Sequence, residues 1–337
     1  MPRLADTPLS VLDLAPIRQG GSAADSFAES VALARLTERL GFTRYWVAEH
    51  HSIDGIASAA TAVLIGHLAE RTSHIRVGSG GIMLPNHPPL VIAEQFGTLE
   101  TLYPGRIDLG LGRAPGSDGA TMAAMRRDPR AGVDDFPQRL EELRGFLDDE
   151  RADQRVRAIP GQGTKVPIWL LGSSDYSARL AAREGLPFAF AAQFAPAQLH
   201  DALRLYRDNF QPSSVLDAPY AMVGLPVVAA ESDEQAEFLA STARQKFLGM
   251  IRGRRTKALP PVERLDWSAL EQAQVEQFFG AAVIGGPQRV HDGLEAFLDA
   301  TGADELMIHT DVYAQQDRLR SYEILAELWQ TGRKEHS

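Results

Sequence analysis

Between Leu9 and Trp329, short apolar runs alternate with longer segments in which apolar side chains recur every three or four positions. The short runs predict eight strands, at 9–14, 44–48, 75–77, 107–111, 166–171, 188–191, 220–229 and 305–308. The helical spacing predicts helices at 26–40, 58–69, 88–102, 136–147, 177–184, 197–209, 233–247, 268–279, 288–298 and 313–329. Strand, helix and parallel return strand at 75–111 form a βαβ unit, which belongs in a sheet covered by helices. The alternation continues to the C-terminus with no linker or repeat. One (β/α)8 TIM barrel over 1–337, with insertions at the C-terminal face of its strands, therefore fits better than a doubly wound sheet. The dinucleotide fingerprint GxGxxG is also absent from the first strand–helix turn.

Two stretches depart from the alternation. Residues 114–135 are polar and turn-rich, with room for a short helix near Met122 to Arg126, and predict an excursion over the strand ends. Residues 249–265 are basic and poor in large apolar side chains. They predict a mobile lid, extending to 282, or a plain surface loop. The segment 285–287, Gly-Gly-Pro, predicts a loop.

Composition narrows the function. With 44% hydrophobic and 23% charged residues the chain is ordinary globular material. A formal net charge of -10 argues against nucleic acid and anionic membrane as partners. Cysteine is absent, which excludes disulfides, thiolate nucleophiles and cysteine zinc sites. The N-terminus lacks a basic region followed by an apolar core, and no stretch approaches a membrane span. A cytoplasmic protein is the expectation.

Candidate chemistry gathers at strand ends, where barrels place it. Gly78, Gly80 and Gly81 follow the third strand and suit either a loop closure or a wall for a flat ligand. Glu49-His50-His51 closes the second strand. Neighbouring strand residues diverge, so one histidine faces the barrel mouth while the other packs; as a metal pair they are poorly spaced. Asn86-His87, held between prolines, is a rigid connector or a positioned polar pair. Arg113 ends the fourth strand and suits a phosphate or a rim salt bridge. Gly172, Ser173, Ser174 and Ser177 open a helix, where free N–H groups and hydroxyls form an anion site; capping explains one serine but not three.

Several segments together carry a resemblance. They are AEHHS at 48–52, VGSGGIMLPNHPP at 77–89, AEQFGTLETLYPGRIDLGLGRAPGSD at 93–118, WLLGSSDYSARLAAREGLPFAFA at 169–191 and the terminal GGPQRVHDGLEAFLDATGADELMI. With these the chain resembles the luciferase-like, flavin-dependent monooxygenases over nearly its whole length. The resemblance implies a barrel that binds reduced FMN, or in some branches the deazaflavin F420. It implies an enzyme that uses O2 on a small organic substrate, with an NAD(P)H:flavin reductase as supplier of reduced flavin. It implies a homodimer as the common assembly. A hydride-transferring F420 oxidoreductase and a non-catalytic flavin-binding subunit are the alternatives. By position, His50 resembles the catalytic histidine, and Gly80-Gly81 the non-prolyl cis peptide behind the flavin ring. Arg113, Gly172, Ser173, Ser174 and Ser177 resemble the phosphate site, though Ser173 replaces a glutamate of the luciferase α subunit. Gly112 stands where that subunit has a reactive cysteine. No residue is expected to hold a metal. Met83, Ile56 and the 114–135 excursion are expected around the substrate.

Overall fold

The computed structural model describes residues 3–114, 119–125, 135–254 and 256–334. Eight parallel strands close on themselves: β1 Leu9–Asp13, β2 Arg44–Val47, β3 Arg76–Met83, β4 Ile107–Gly112, β5 Ile168–Gly172, β6 Phe188–Ala191, β7 Ala221–Ala229 and, after a short β8 at Val283–Gly285, β9 Glu305–His309. The order runs β6-β5-β4-β3-β2-β1-β9-β7, and β6 pairs with β7 to seal the ring. Leu9 opposes Leu306 at one seam and Phe188 opposes Ala221 at the other. This is the (β/α)8 barrel that the alternation predicts.

Two strands differ from expectation. β8 lies where a loop is expected and pairs only with β7, outside the ring. Strand β3 continues through its glycines to Met83, with a register shift against β4 between Ser79 and Ile82. Close approach explains the continuation. A Cβ on Gly78 would lie 2.5 Å from the Asp108 carbonyl oxygen and 2.8 Å from Trp46 Nε1. Glycine there lets β2, β3 and β4 pack tightly rather than ending the strand.

Helices cover the barrel. The first, α1 Ala23–Leu40, begins three residues before its apolar periodicity because Ser22 and Asp25 form a capping box. It ends at Gly41, whose φ of 87° is left-handed. Helices α2 Thr61–Glu70 and α3 Pro89–Leu102 pack closely: a Cβ on Gly66 would sit 3.2 Å from Leu99. Gly66 therefore lets α2 lie close against α3. Within the 114–135 excursion, α4 spans Gly119–Ala124; residues 115–118 and 126–134, and so the predicted end of that helix at Arg126, lie outside the described residues. The remaining helices are α5 Phe136–Leu147, α6 Asp175–Glu184, α7 Leu199–Asp208, α8 Asp233–Ile251, α9 Ala269–Phe278, α10 Pro287–Thr301 and α11 Gln315–Lys334. Among the described residues no helix is long and apolar enough to cross a membrane.

Buried ion pairs lock the barrel. Asp13 is fully buried and accepts from Arg318 Nη2 at 2.8 Å, Tyr45 Oη at 2.6 Å and the Ala15 amide at 2.8 Å. Burial raises its pKa, but Arg318 and these hydrogen bonds outweigh that and hold the carboxyl below its usual range. Near the strand N-termini, Arg44 bridges Asp108 at 2.8 Å and Glu305 at 3.0 Å, both acids fully buried. Above them Leu12, Trp46, Ala48, Trp169, Ala189, Met222 and Met307 fill the barrel interior. Trp46 and Trp169 meet edge to face with centroids 5.3 Å apart.

Candidate active site

The C-terminal ends of the strands enclose a cleft of about 410 Å³. Its floor is the barrel-interior cluster, through Leu12, Trp46, Met222 and Met307. Its walls bring together His50, Gly80, Gly81, Arg113, Gly172, Ser173, Ser174 and Ser177, whereas Gly78, His51, Asn86 and His87, also singled out from the sequence, do not line it.

The peptide bond between Gly80 and Gly81 is cis. A Cβ on Gly80 would stand 2.7 Å from Leu12 Cδ1, and one on Gly81 2.8 Å from the Gly110 carbonyl oxygen. Both glycines are thus needed by the packing behind them, while their open side faces the cleft.

Arg113 and the serines form one end. The Arg113 guanidinium stacks 3.8 Å over the Tyr176 ring. Tyr176 belongs to α6, so the stack ties the end of β4 to the helix that carries the serines. Ser174 occupies the N-cap of α6 yet makes no side-chain capping bond. Its hydroxyl is not consumed by the helix, which favours the anion-site reading over simple capping. Gly172 has its own reason: a Cβ there would meet Ser177 Oγ at 2.2 Å. Glycine at 172 is what allows Ser177 to stand in the cleft wall.

His50 forms the opposite end. Its Nδ1 is buried with no hydrogen-bond partner. Burial first, then the positive charge of Lys246, pushes its pKa down to about 4, so the ring is neutral at physiological pH. β2 ends at Val47, so both histidines lie in the loop that follows it rather than on the strand, and His51 turns away from the cleft. Its Nε2 lies 2.7 Å from Glu49 Oε1, His87 Nε2 lies 2.8 Å from the same oxygen, and the Met83 amide donates to Glu49 Oε2 at 3.0 Å. Burial raises the Glu49 pKa, but the two histidines and the amide more than reverse this and keep it ionised. An ionised carboxylate only accepts, so both histidines carry their proton on Nε2. Glu49, His51 and His87 offer ligand atoms within 4.8 Å of one another, a trio that the sequence did not connect. Here they are spent on mutual hydrogen bonds that fix the loop after β3 beside the loop after β2, which bears His50.

A second cavity of about 290 Å³ opens beside the cleft and shares Leu12, His50, Gln193 and Phe194 with it. It is mostly apolar. Ile56 lines it as expected, whereas Met83 lines the inner cleft. Phe247 of α8 stacks on Phe278 of α9 with centroids 3.8 Å apart, joining the two helices at its wall. The 249–282 segment, expected as a lid, contributes Met250, Arg254, Thr256, Phe278 and Phe279. Ala258 anchors it by hydrogen bonds with Ile17 and Gln19, at 3.0 and 2.8 Å. Lys246, Asp311, His309 and Gln193 were missed in the sequence. His309 ends β9, and Gln193 and Asp311 follow the ends of β6 and β9, a position that signals chemistry in a barrel. Lys246 lies inside α8 and carries no such signal.

The donor set fits a flat ring bearing a phosphate. Two glycines form the wall, an arginine without a carboxylate partner among the described residues joins unspent hydroxyls at one end, and an orphaned imidazole nitrogen waits at the other.

Comparison with known proteins gives the family. The family model described as luciferase-like monooxygenase matches residues 7–305. The uncharacterized protein YvbT of Bacillus subtilis strain 168 is 57% identical over 327 residues, covering 96% of this chain and 97% of its own. A luciferase-like monooxygenase of Escherichia coli K12 is 52% identical over 321 residues, covering 95% and 96%. An N-acetyl-S-alkylcysteine monooxygenase of B. subtilis is 40% identical over 235 residues, covering 68% and 70%. Among solved structures, apo-MsnO8 superposes with a TM-score of 0.87 at 38% identity, covering 96% and 98%. Two more distant structures share the fold. The FMN complex of the oxygenating constituent of 3,6-diketocamphane monooxygenase has a TM-score of 0.70 at 19% identity, covering 96% and 97%. An F420-dependent secondary alcohol dehydrogenase has 0.67 at 14%, covering 95% and 99%. From its barrel, its cleft and these relatives, the chain belongs to the luciferase-like monooxygenase family.

Proposed function

We propose that this protein is an FMN-dependent monooxygenase that uses reduced flavin and O2 on a small organic substrate. The observation that carries the reading is the cleft itself, with Arg113 and the unspent serines at one end and a neutral His50 at the other. When bound, reduced flavin supplies the two electrons that activate oxygen. Arg113, Ser173, Ser174, Ser177 and the first amides of α6 hold the phosphate. Gly80 and Gly81 leave a flat wall for the ring. His50 offers Nδ1 to the reacting atoms and exchanges a proton there. The aromatic pair Phe247–Phe278 and its apolar surroundings keep water from the outer cavity.

Arg113 is the one cation among the described residues lining the cleft, which suits the single phosphate monoester of FMN. The distant F420-dependent relative makes F420 the comparison to run. The B. subtilis relative named for N-acetyl-S-alkylcysteine makes alkyl thioethers the first substrates to try. Reduced flavin comes from a separate NAD(P)H:flavin reductase, and two copies pair through α2 and α3, where Val63, Val91 and Leu102 are exposed.

The test is an anaerobic titration with reduced FMN and reduced F420, followed by oxygen and a thioether panel with product analysis by mass. Tight binding of FMN and a product heavier by one oxygen atom support the proposal. Binding of F420 alone, without oxygen incorporation, sinks it.

A further inference from the structure

The outer cavity has a polar wall inside an apolar shell. Lys246 Nζ donates to Asp311 Oδ2 at 2.9 Å. The Asp311 side chain is 10% exposed, and its other oxygen, Oδ1, is buried with no partner. Gln193, 8% exposed, likewise leaves Oε1 buried and unpartnered, and Thr256 leaves its Oγ1 so. With His50 Nδ1, four unspent polar atoms border one cavity. None of the four is an obligatory donor, and two are oxygens that only accept. A buried acceptor without a donor is costly, so an occupant that brings an N–H or O–H recovers that cost. The charges of Lys246 and Asp311 cancel, and His50 is neutral, so this buried wall offers no unmatched charge to an ionised head; Arg254, the other cation on the lining, stands exposed to solvent at the rim. Around it stand Ile53, Ile56, Val228, Phe247 and Phe278.

We infer that the outer cavity takes a substrate with an apolar body and a neutral head that donates a hydrogen bond to Asp311 and accepts one from Lys246, as a secondary amide or an alcohol does. Asp311 and Lys246 are the residues that set this specificity. Neither lines the inner cleft. The inference rests on the oxygenase reading in taking the outer cavity as the substrate site.

The matched pair N-hexylacetamide and hexyl acetate tests it, since they differ only by N–H against O. Their dissociation constants are measured by calorimetry on the full-length protein loaded with reduced FMN under anaerobic conditions, and on the protein alone. The ester loses less on leaving water, so a cavity that is merely apolar prefers the ester. The inference requires the amide to bind at least about tenfold tighter. In Asp311→Asn the single side-chain oxygen stays on Lys246 and the amide NH2 faces the cavity, so the inference also requires this variant to bring the ratio close to one, with binding of reduced FMN unchanged. Lys246→Met/Asp311→Leu removes both charges together and guards against a folding defect from one orphaned charge; it is expected to reverse the preference toward the ester. Ala243→Trp, which fills the cavity, is expected to abolish binding of both. Equal binding of the pair by the wild type, or an unchanged ratio in Asp311→Asn, overturns the inference. An amide preference that follows Asp311 in a protein that binds no reduced flavin upholds the cavity assignment and removes the oxygenase reading instead.

Discussion

Arg113 gives the sharpest test of the cofactor cleft. Its guanidinium fork stands over Tyr176, beside Ser173, Ser174 and Ser177, with no carboxylate partner among the described residues. Hydrogen bonds to charged groups contribute about 1.5–3 kcal/mol each. Two of them, discounted because Arg113 is half-buried and partly screened, leave roughly 2–3 kcal/mol for the phosphate. Arg113→Ala is therefore expected to weaken reduced FMN by about 30- to 150-fold. Arg113→Lys keeps the charge but loses the fork and the stack over the ring, so a loss of about 5- to 30-fold is expected. Reduced riboflavin, which has no phosphate, serves as the internal control. The assay is anaerobic fluorescence titration of wild type and both variants with each flavin, with melting curves to confirm folding. The phosphate reading predicts that the FMN-to-riboflavin affinity ratio collapses in Arg113→Ala. A loss shared equally by the two flavins, or no loss at all, refutes it.

Three further predictions concern packing and protonation. Gly172→Ala places a Cβ 2.2 Å from Ser177 Oγ. It is expected to cost about 1–3 kcal/mol in urea unfolding and to weaken FMN, with Gly172→Ala/Ser177→Gly recovering stability but not affinity. His50, pushed down to about 4 in the folded protein, titrates near 6.5 when unfolded, so the unfolded chain holds more protons between those values. Stability therefore rises with pH across that window; at pH 5 the wild type is expected to have lost about 2 kcal/mol of its pH 7 stability on this account, and His50→Leu to lose that much less. Arg318→Met leaves Asp13 buried without its cation, and a loss of about 3–5 kcal/mol is expected by chemical denaturation.

The barrel was legible because seven of its strands are apolar runs in near-continuous register with helical periodicity between them. Strand β3 was cut short because glycine weakens a strand on propensity grounds, and only the approach of Asp108 and Trp46 shows why Gly78 belongs there. Strand β8 escaped because Val283–Gly285 is three residues long and half-exposed. The inner cleft was legible for a different reason. Its groups sit on the C-terminal ends of strands or on the loops that follow them, and a parallel barrel brings all of these to one end. The outer cavity was not. Phe247, Phe278 and Lys246 look like ordinary helix residues, and Asp311 is remote in sequence from His50. Only the packing of α8 and α9 across the strand ends brings them together. The partnership of Glu49, His51 and His87 was hidden in the same way, since it joins two separate loops.

Leu12, His50, Gln193 and Phe194 each present a surface to both cavities, so the two compartments have a common partition. Occupants on either side touch the same four side chains. By linkage, whatever factor the inner guest imposes on the affinity of the outer one is imposed in return on itself. On the oxygenase reading, the partition makes the proposed flavin a reporter. An unknown substrate announces itself as a displacement of the flavin binding curve, and a library of candidates can be ranked without detecting a single product.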